Sequence, residues 1–280
     1  MDEGGETGKR EGGGDCAENK LIVMTKNEFL QLLQQEAASL QKAVSTPNGD
    51  WIVKGFIDIS KNIYTISADT KVISKIMELL IFPKINEFAS RNGLEWKPCS
   101  EQNFYPDITF IDNEGNKFAV DVKSTYRKDD EHVNGMTLGA FTGCFRNRTS
   151  TKNIMFPYNE YAGHFVLGLI YSRCDGVNEG EIHQLDDLQN IRSVAKDFVF
   201  FAQEKYRIAM DRPGSGNTKN IGSVTKTEDL INGNGLFSTL GESVFDDYWM
   251  FYLTGDMARA AELPAPYYKN IGEYKKFKGI

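Results

Sequence analysis

The sequence predicts an α/β fold with a central mixed β-sheet flanked by helices, and three observations predict it. An amphipathic stripe opens the patterned part of the chain, two apolar-rich runs near the middle are separated by turn residues, and two further apolar runs follow. Taken in order, Thr25-Lys-Asn-Glu28 has capping-box spacing and leads into Leu30, Leu33, Ala37, Leu40 and Val44 on one helical face, so a first helix is expected near 25–44. Pro47-Asn-Gly-Asp stops it, and WIVKGFIDI (51–59) and NIYTIS (62–67) read as a short strand pair around Ser60 and Lys61. Asp69 is placed to cap a second helix with an apolar stripe of Val72, Ile73, Ile76, Leu79 and Leu80, which Pro83 is expected to bend or end.

DITFID (107–112) and KFAVDVKSTY (117–126) flank the polar turn Asn113-Glu-Gly-Asn116, which predicts a β-hairpin. FVLGLIY (165–171) and DFVFFA (197–202) read as buried strands, and RPGSGNTKNIGS (212–223) as a long Gly- and Asn-rich loop. The segment around Asp246-Asp-Tyr-Trp-Met-Phe-Tyr is expected to be aromatic and partly helical, and no internal repeat is visible.

A chain of 280 residues with 40% hydrophobic and 12% aromatic content can bury one large core. The expected organisation is a disordered tail over 1–20, because MDEGGETGKREGGGD has nothing to bury, and a single domain over 21–280. That opening lacks the apolar region of a secretory signal, and no later stretch approaches membrane-spanning length, so a soluble, cytoplasmic protein is expected. Cysteines at 16, 99, 144 and 174 show no C-x-x-C spacing, which suits a reducing compartment. His132, His164 and His183 stand apart from one another, which argues against a zinc site or a His-based triad.

Net charge of −7 and a pI near 5.2 argue against a nucleic-acid partner when only the total is counted. Residues 1–60 carry six Lys or Arg against ten Asp or Glu, however, and so account for −4 of it. Positive charge gathers at Arg146, Arg148 and Lys152, and again at Lys205, Arg207, Arg212, Lys219 and Lys226. Phosphate binding needs a basic face, not a basic average.

Pro106-Asp107, thirteen intervening residues and then Asp121-Val122-Lys123 match the PD-(D/E)-x-K pattern. Asp121 and Lys123 are two apart and leave the same face of a strand. With the turn centred near Glu114 and Gly115, Asp107 falls opposite the neighbourhood of Val122, within a diagonal of both. Two carboxylates on adjacent strands repel unless a divalent cation lies between them, and hard oxygen ligands suit Mg²⁺, with Mn²⁺ as a substitute. Phosphodiester hydrolysis needs charge neutralisation and an activated water, which a metal and the Lys123 ammonium can supply together. The alternative is a hairpin with solvated charges, although an Asp inside FAVDVK is costly without a partner.

Five blocks, ADTKVISKIMELL, QNFYPDITF, FAVDVKSTY, TKNIMFPYNEYAGH and GSGNTKNIGS, together resemble the EcoRV family of type II restriction endonucleases in colinear order from about Asp69 to Ser223. Similarity weakens towards Tyr248 and Trp249, and the first fifty or so residues diverge. The resemblance implies a restriction-endonuclease-like core and a homodimer that cuts both strands of a palindromic duplex with Mg²⁺, leaving 5′-phosphates and 3′-hydroxyls. It also implies a cognate methyltransferase in the same system. It puts Asp107, Asp121 and Lys123 on the catalytic positions, with Asp107 and Asp121 as metal ligands and Glu78 on an acidic helix position of auxiliary metal or structural role.

By the same resemblance, Gly214, Ser215, Gly216, Asn217, Thr218, Lys219 and Asn220 form a major-groove recognition loop. Residue chemistry agrees: the glycines allow close backbone approach, Asn217 can pair bidentately with adenine, and Thr218 offers a methyl to thymine. Gln102 and Asn103 resemble a loop that approaches the minor groove, Ser124 and Thr125 follow the catalytic Lys as in the family, and Lys152 matches a position near the phosphate backbone. The loop suggests the family's site, GATATC, cut bluntly at its readily unstacked central TA step. Three departures bear on the sequence read and the phosphate contacts: Glu101 stands where a Gln is expected, Lys219 replaces a Thr, and Arg148-Thr-Ser contains a two-residue insertion. The rival readings are a repair or recombination nuclease of the same fold that recognises DNA structure, and a DNA-binding module without catalysis.

Overall fold

The computed structural model describes residues 24–101, 103–214 and 219–280. Helix α1 (Lys26–Val44) starts at the expected capping box: Thr25 Oγ1 accepts from the Glu28 N–H at 3.2 Å, and the Glu28 carboxylate accepts from the Thr25 N–H at 2.7 Å. Strands β1 (Gly55–Ile57) and β2 (Ile63–Thr65) pair antiparallel around Ser60 and Lys61. They are shorter than the apolar runs suggested. Trp51 leaves the run to fill the core, and the Ile52 N–H is spent on the Val44 carbonyl at 3.0 Å.

Helix α2 (Thr70–Arg91) is capped by Asp69, whose carboxylate accepts from Lys71 N and Val72 N at 2.8 and 3.3 Å. Of the two expected outcomes at Pro83, a bend or an end, the helix does not end there. The proline removes the bond to the Leu79 carbonyl, and Leu79 is exposed, so the freed acceptor lies on the wet side. Ile73, Met77, Ile81, Ile85 and Phe88 form the stripe actually buried, and their packing on both sides of the proline holds the two halves in one helix.

Strands β3 (Glu95–Pro98), β4 (Ile108–Ile111), β5 (Lys117–Tyr126), β6 (Thr137–Ala140), β7 (Tyr161–Arg173), β8 (Ile182–His183) and β9 (Ala195–Glu204) follow. The central sheet has the order β3-β4-β5-β7-β9 and is mixed: β5 and β7 are parallel, and the other pairs are antiparallel. Strands β10 (Ala209–Pro213) and β11 (Asn220–Ser223) join β6 in a second sheet of order β10-β11-β6. The expected long loop is therefore shorter, because Asn220–Ser223 is taken up by pairing. A third small sheet has the order β1-β2-β8. Helices α3 (Thr227–Asn232), α4 (Leu236–Leu240), α5 (Glu242–Phe251), α6 (Gly255–Ala260) and α7 (Ile271–Lys278) complete the chain. None of the helices among the described residues is long and apolar enough to cross a membrane.

Both faces of the central sheet are covered. On one, α1 and α2 pack on Phe110, Phe118, Val120, Phe165, Leu167 and Leu169. Phe29 stacks on Phe118 with ring centroids 4.3 Å apart and lies 5.0 Å from Phe165 and 5.5 Å from Phe110. On the other face Ala119, Val166, Ile170 and Phe201 meet Leu138, Ile208, Ile221 and Trp249. The pleat of β5 thus sends Phe118, Val120 and Val122 towards the helices and Ala119, Asp121 and Lys123 towards the second sheet. Gly168 has no side chain for a reason: a Cβ there would lie 2.1 Å from the Phe201 ring. We expect Phe29→Ala to cost about 3–5 kcal/mol, since it empties the centre of an aromatic cluster. A denaturant midpoint within error of the parent would show that this cluster does not hold α1 to the sheet.

Candidate active site

The β4–β5 hairpin sets the geometry. Its register pairs Ile111 with Lys117, Phe110 with Phe118, Thr109 with Ala119 and Ile108 with Val120, so one step further puts Asp107 across from Asp121. The expected partner was the neighbourhood of Val122. The difference comes from the turn, where the Asp112 carboxylate accepts from Glu114 N and Asn116 N at 3.0 and 2.8 Å and the Gly115 N–H bonds the Asp112 carbonyl at 3.0 Å.

Asp107 Oδ2 accepts from the Val122 N–H at 2.8 Å and lies 3.4 Å from Lys123 Nζ, which is itself 3.2 Å from Asp121 Oδ2. Asp121 is buried and Asp107 is partly open. The other oxygen of each carboxylate, Oδ1, has no hydrogen bond or ion pair with a described residue. Withdrawal from water raises the Asp107 pKa above its ordinary value; Lys123 opposes this and Asp121 adds to it. Burial works to deprotonate Lys123, but Asp121 and Asp107 together outweigh it and hold the ammonium above its ordinary range.

These three residues line a cavity of about 660 Å³. Asn103, Lys152 and Asn220 line it too, which brings three of the expected DNA contacts to the same place as the carboxylates. Gly214 lies at the foot of the expected recognition loop, its N–H bonding the Asn220 carbonyl at 3.0 Å, and Lys219 accepts from the Phe141 N–H at 2.9 Å. One foot is thereby tied to β11 and the other to the residue that follows β6. Gln102, Ser215, Gly216, Asn217 and Thr218 lie outside the described residues.

Besides Gly214 and Lys219, which stay at the feet of the loop, three expected residues are not brought to the cavity. Glu78 sits on α2, on the opposite face of the sheet, with its carboxylate 2.8 Å from Lys75 Nζ, and no group of three metal-ligating side chains forms among the described residues. Ser124 points to α2, its hydroxyl 2.5 Å from that of Ser74. Thr125 is buried and its hydroxyl bonds the Asn134 carbonyl. Sequence reasoning missed two aromatic residues that line the cavity, Tyr105 and Tyr158, and the buried imidazole they hold. The Tyr105 hydroxyl meets His164 Nδ1 at 2.7 Å, and Tyr158 stacks on the imidazole at 3.8 Å. The available signal was the position of His164 directly ahead of the apolar run FVLGLIY.

The family model for restriction endonuclease EcoRV matches residues 47–279. The type II restriction enzyme EcoRV of Escherichia coli is 35% identical over 244 residues, covering 86% of this chain and 96% of that one. The chain belongs to the EcoRV restriction endonuclease family. Among solved structures, the NlaIV restriction endonuclease is 12% identical and covers 91% of this chain and 96% of its own, with a TM-score of 0.37, a distant likeness. As an EcoRV-family member the protein is a type II site-specific deoxyribonuclease, and its substrate is DNA.

Within this EcoRV-type core, burial first, then the charges of Lys205 and Arg148, keeps the His164 pKa well below its ordinary 6.5. The folded state therefore leaves His164 neutral while the unfolded chain takes up a proton below 6.5, so stability falls as pH falls through that value. We expect His164 to cost about 1.4 kcal/mol per pH unit below 6.5. Denaturant titrations at pH 7.5 and 5 should show a smaller loss for His164→Gln than for the parent. Equal losses would show that His164 does not titrate between the two states.

Proposed function

We propose that the protein cuts both strands of the palindrome GATATC at its centre, in a Mg²⁺-dependent reaction, leaving blunt ends with 5′-phosphates and 3′-hydroxyls. The observation that carries the reading is the convergence of Asp107, Asp121 and Lys123 on a cavity that Asn220, at the foot of the Gly-rich loop, also lines. On this reading the catalytic residues and one foot of the sequence-reading loop line one cavity.

The residues present fit a hard divalent cation. Among the described residues each of the two crowded carboxylates keeps an oxygen without a partner, and a small set of protein ligands suits Mg²⁺, which retains waters and takes phosphate oxygens. Asp107 and Asp121 would hold the ion, which when bound would neutralise phosphate charge and lower the pKa of a water. Lys123 enters as an ammonium poised between the carboxylates, able to stabilise negative charge developing on the phosphate. The Val122 N–H orients Asp107, so the backbone of β5 fixes where that carboxylate can reach. Glu78, matched by the family resemblance alone, would act from outside the cavity.

A palindrome calls for two copies related by a two-fold axis. The β1-β2-β8 sheet supports a homodimer, because Phe56, Ile57 and Ile182 stand exposed on it in a single copy. Such an enzyme needs its host's DNA masked, hence a cognate methyltransferase of the same specificity. Digestion of a DNA of known sequence with Mg²⁺, followed by sequencing of the ends, tests the site and the cut position together. Ends scattered without a common sequence would favour a structure-specific nuclease.

Asp121→Ala should abolish cutting while a cognate duplex is still bound, which a mobility shift read beside a cleavage assay will show; cutting near the parent rate would remove Asp121 from the chemistry. Asn217→Ala should lower discrimination at one adenine by about 1–3 kcal/mol. Unchanged cleavage ratios on one-base variants of the site would refute the loop assignment.

A further inference from the structure

Lys205 is a lysine with almost no water and no carboxylate of its own. It follows β9 in a single 3-10 turn (Lys205–Ile208), and it is 4% exposed. Among the described residues it forms no ion pair, whereas Lys123 is committed to both Asp107 and Asp121. Its Nζ lies 5.1 Å from the Tyr105 ring centroid, 5.7 Å from that of Phe145 and 5.9 Å from that of Tyr158. From the remaining side the β6 backbone closes over it at Gly139, where φ is +87° and a Cβ would stand 3.4 Å from Nζ. The ammonium also lines the cavity that holds Asp107, Asp121, Lys152 and Asn220.

Such a charge is expensive. Aromatic faces return only part of the lost hydration, on the order of 2 kcal/mol for a desolvated cation–π contact, while desolvating an ion costs several kcal/mol. Burial accordingly lowers the Lys205 pKa to about 8, against the pull of Asp121. Asp121, the carboxylate that draws it most, is already paired with Lys123. The strand that enters the cavity would gain from a cation here.

We propose that Lys205 is a preorganised phosphate-binding residue that meets a non-bridging oxygen of the DNA backbone inside the cleavage cavity that it lines together with the carboxylate pair. The inference rests on the nuclease reading above and adds to it a second cation with a separate duty. Lys123 neutralises the carboxylates it touches, and Lys205 supplies the charge still uncommitted when the phosphate arrives. The aromatic box removes the freedom that a surface lysine would lose on binding, so contact costs little further ordering.

Lys205→Met tests this, because methionine keeps the length and apolar body that the aromatic box holds. The variant is expected to melt at or above the parent temperature, since it removes an unpaired buried charge. Cleavage of the plasmid cut by the parent enzyme is expected to fall about 10- to 100-fold, as for loss of a charged hydrogen bond. The slope of log affinity against log salt, measured with Ca²⁺ on a duplex carrying the mapped site, should become shallower by about 0.9 for each site. Parent-like cleavage with a parent-like slope overturns the assignment, and so does a variant that melts early or fails to fold, because Lys205 would then be structural. A parent protein that neither binds nor cuts any duplex removes the nuclease reading itself, whereas an active parent with an equally active variant removes this inference alone.

Discussion

Two like charges facing each other across the β4–β5 ladder are the constraint around which this molecule is organised. Asp107 and Asp121 occupy the step beyond the last hydrogen-bonded pair of the hairpin, and among the described residues only Lys123 answers both. In a core this arrangement is unfavourable, because each ionised carboxylate withdrawn from water needs compensation that one ammonium cannot supply in full. A hairpin that places them there needs strong independent support. It has that support in the Phe29, Phe110, Phe118 and Phe165 cluster, which anchors the opposite face of the same strands.

The division of β5 into two faces is what makes this possible. Alternate residues bury Phe118, Val120 and Val122 under α1 and α2, and the residues between them carry Ala119, Asp121 and Lys123 to the cavity. A slip of one residue would exchange the two sets and put charge into the aromatic core, so hydrophobic burial enforces the register that the chemistry requires. The parallel pairing of β5 with β7 brings His164 opposite Ala119, while β9 delivers Lys205 at its end. The cavity is thereby assembled from segments more than a hundred residues apart in sequence, brought together by the central sheet and the β10-β11-β6 sheet packed on it.

The charge pattern follows from this assembly. A net charge of −7 coexists with a cavity into which Lys123, Lys152 and Lys205 all turn. The cations differ in kind: Lys152 is exposed, Lys123 is paired, and Lys205 is enclosed by aromatic rings. An acidic protein can thus present a local positive field where a polyanion must bind.

Features written in short-range chemistry were legible without coordinates. The Thr25–Glu28 capping box, the Asp69 cap, the hairpin around Asn113–Asn116 and the shared face of Asp121 and Lys123 each depend on residues a few positions apart, and the colinear blocks pointed to the family. Tertiary packing decided the rest. It carried α2 through Pro83, because burial on both sides outweighs one lost hydrogen bond, and it paired Asn220–Ser223 with β6 out of what read as loop. It turned Ser124 and Thr125 to internal partners and left Glu78 with Lys75. Lys205 shows the distinction most clearly: the sequence identifies one lysine in a basic stretch, but only the rings of Tyr105, Phe145 and Tyr158, brought together from distant segments, make it a largely buried charge facing the cavity. Local pattern determines backbone conformation and the alternation of faces, whereas burial and pairing of charge depend on which remote segments converge.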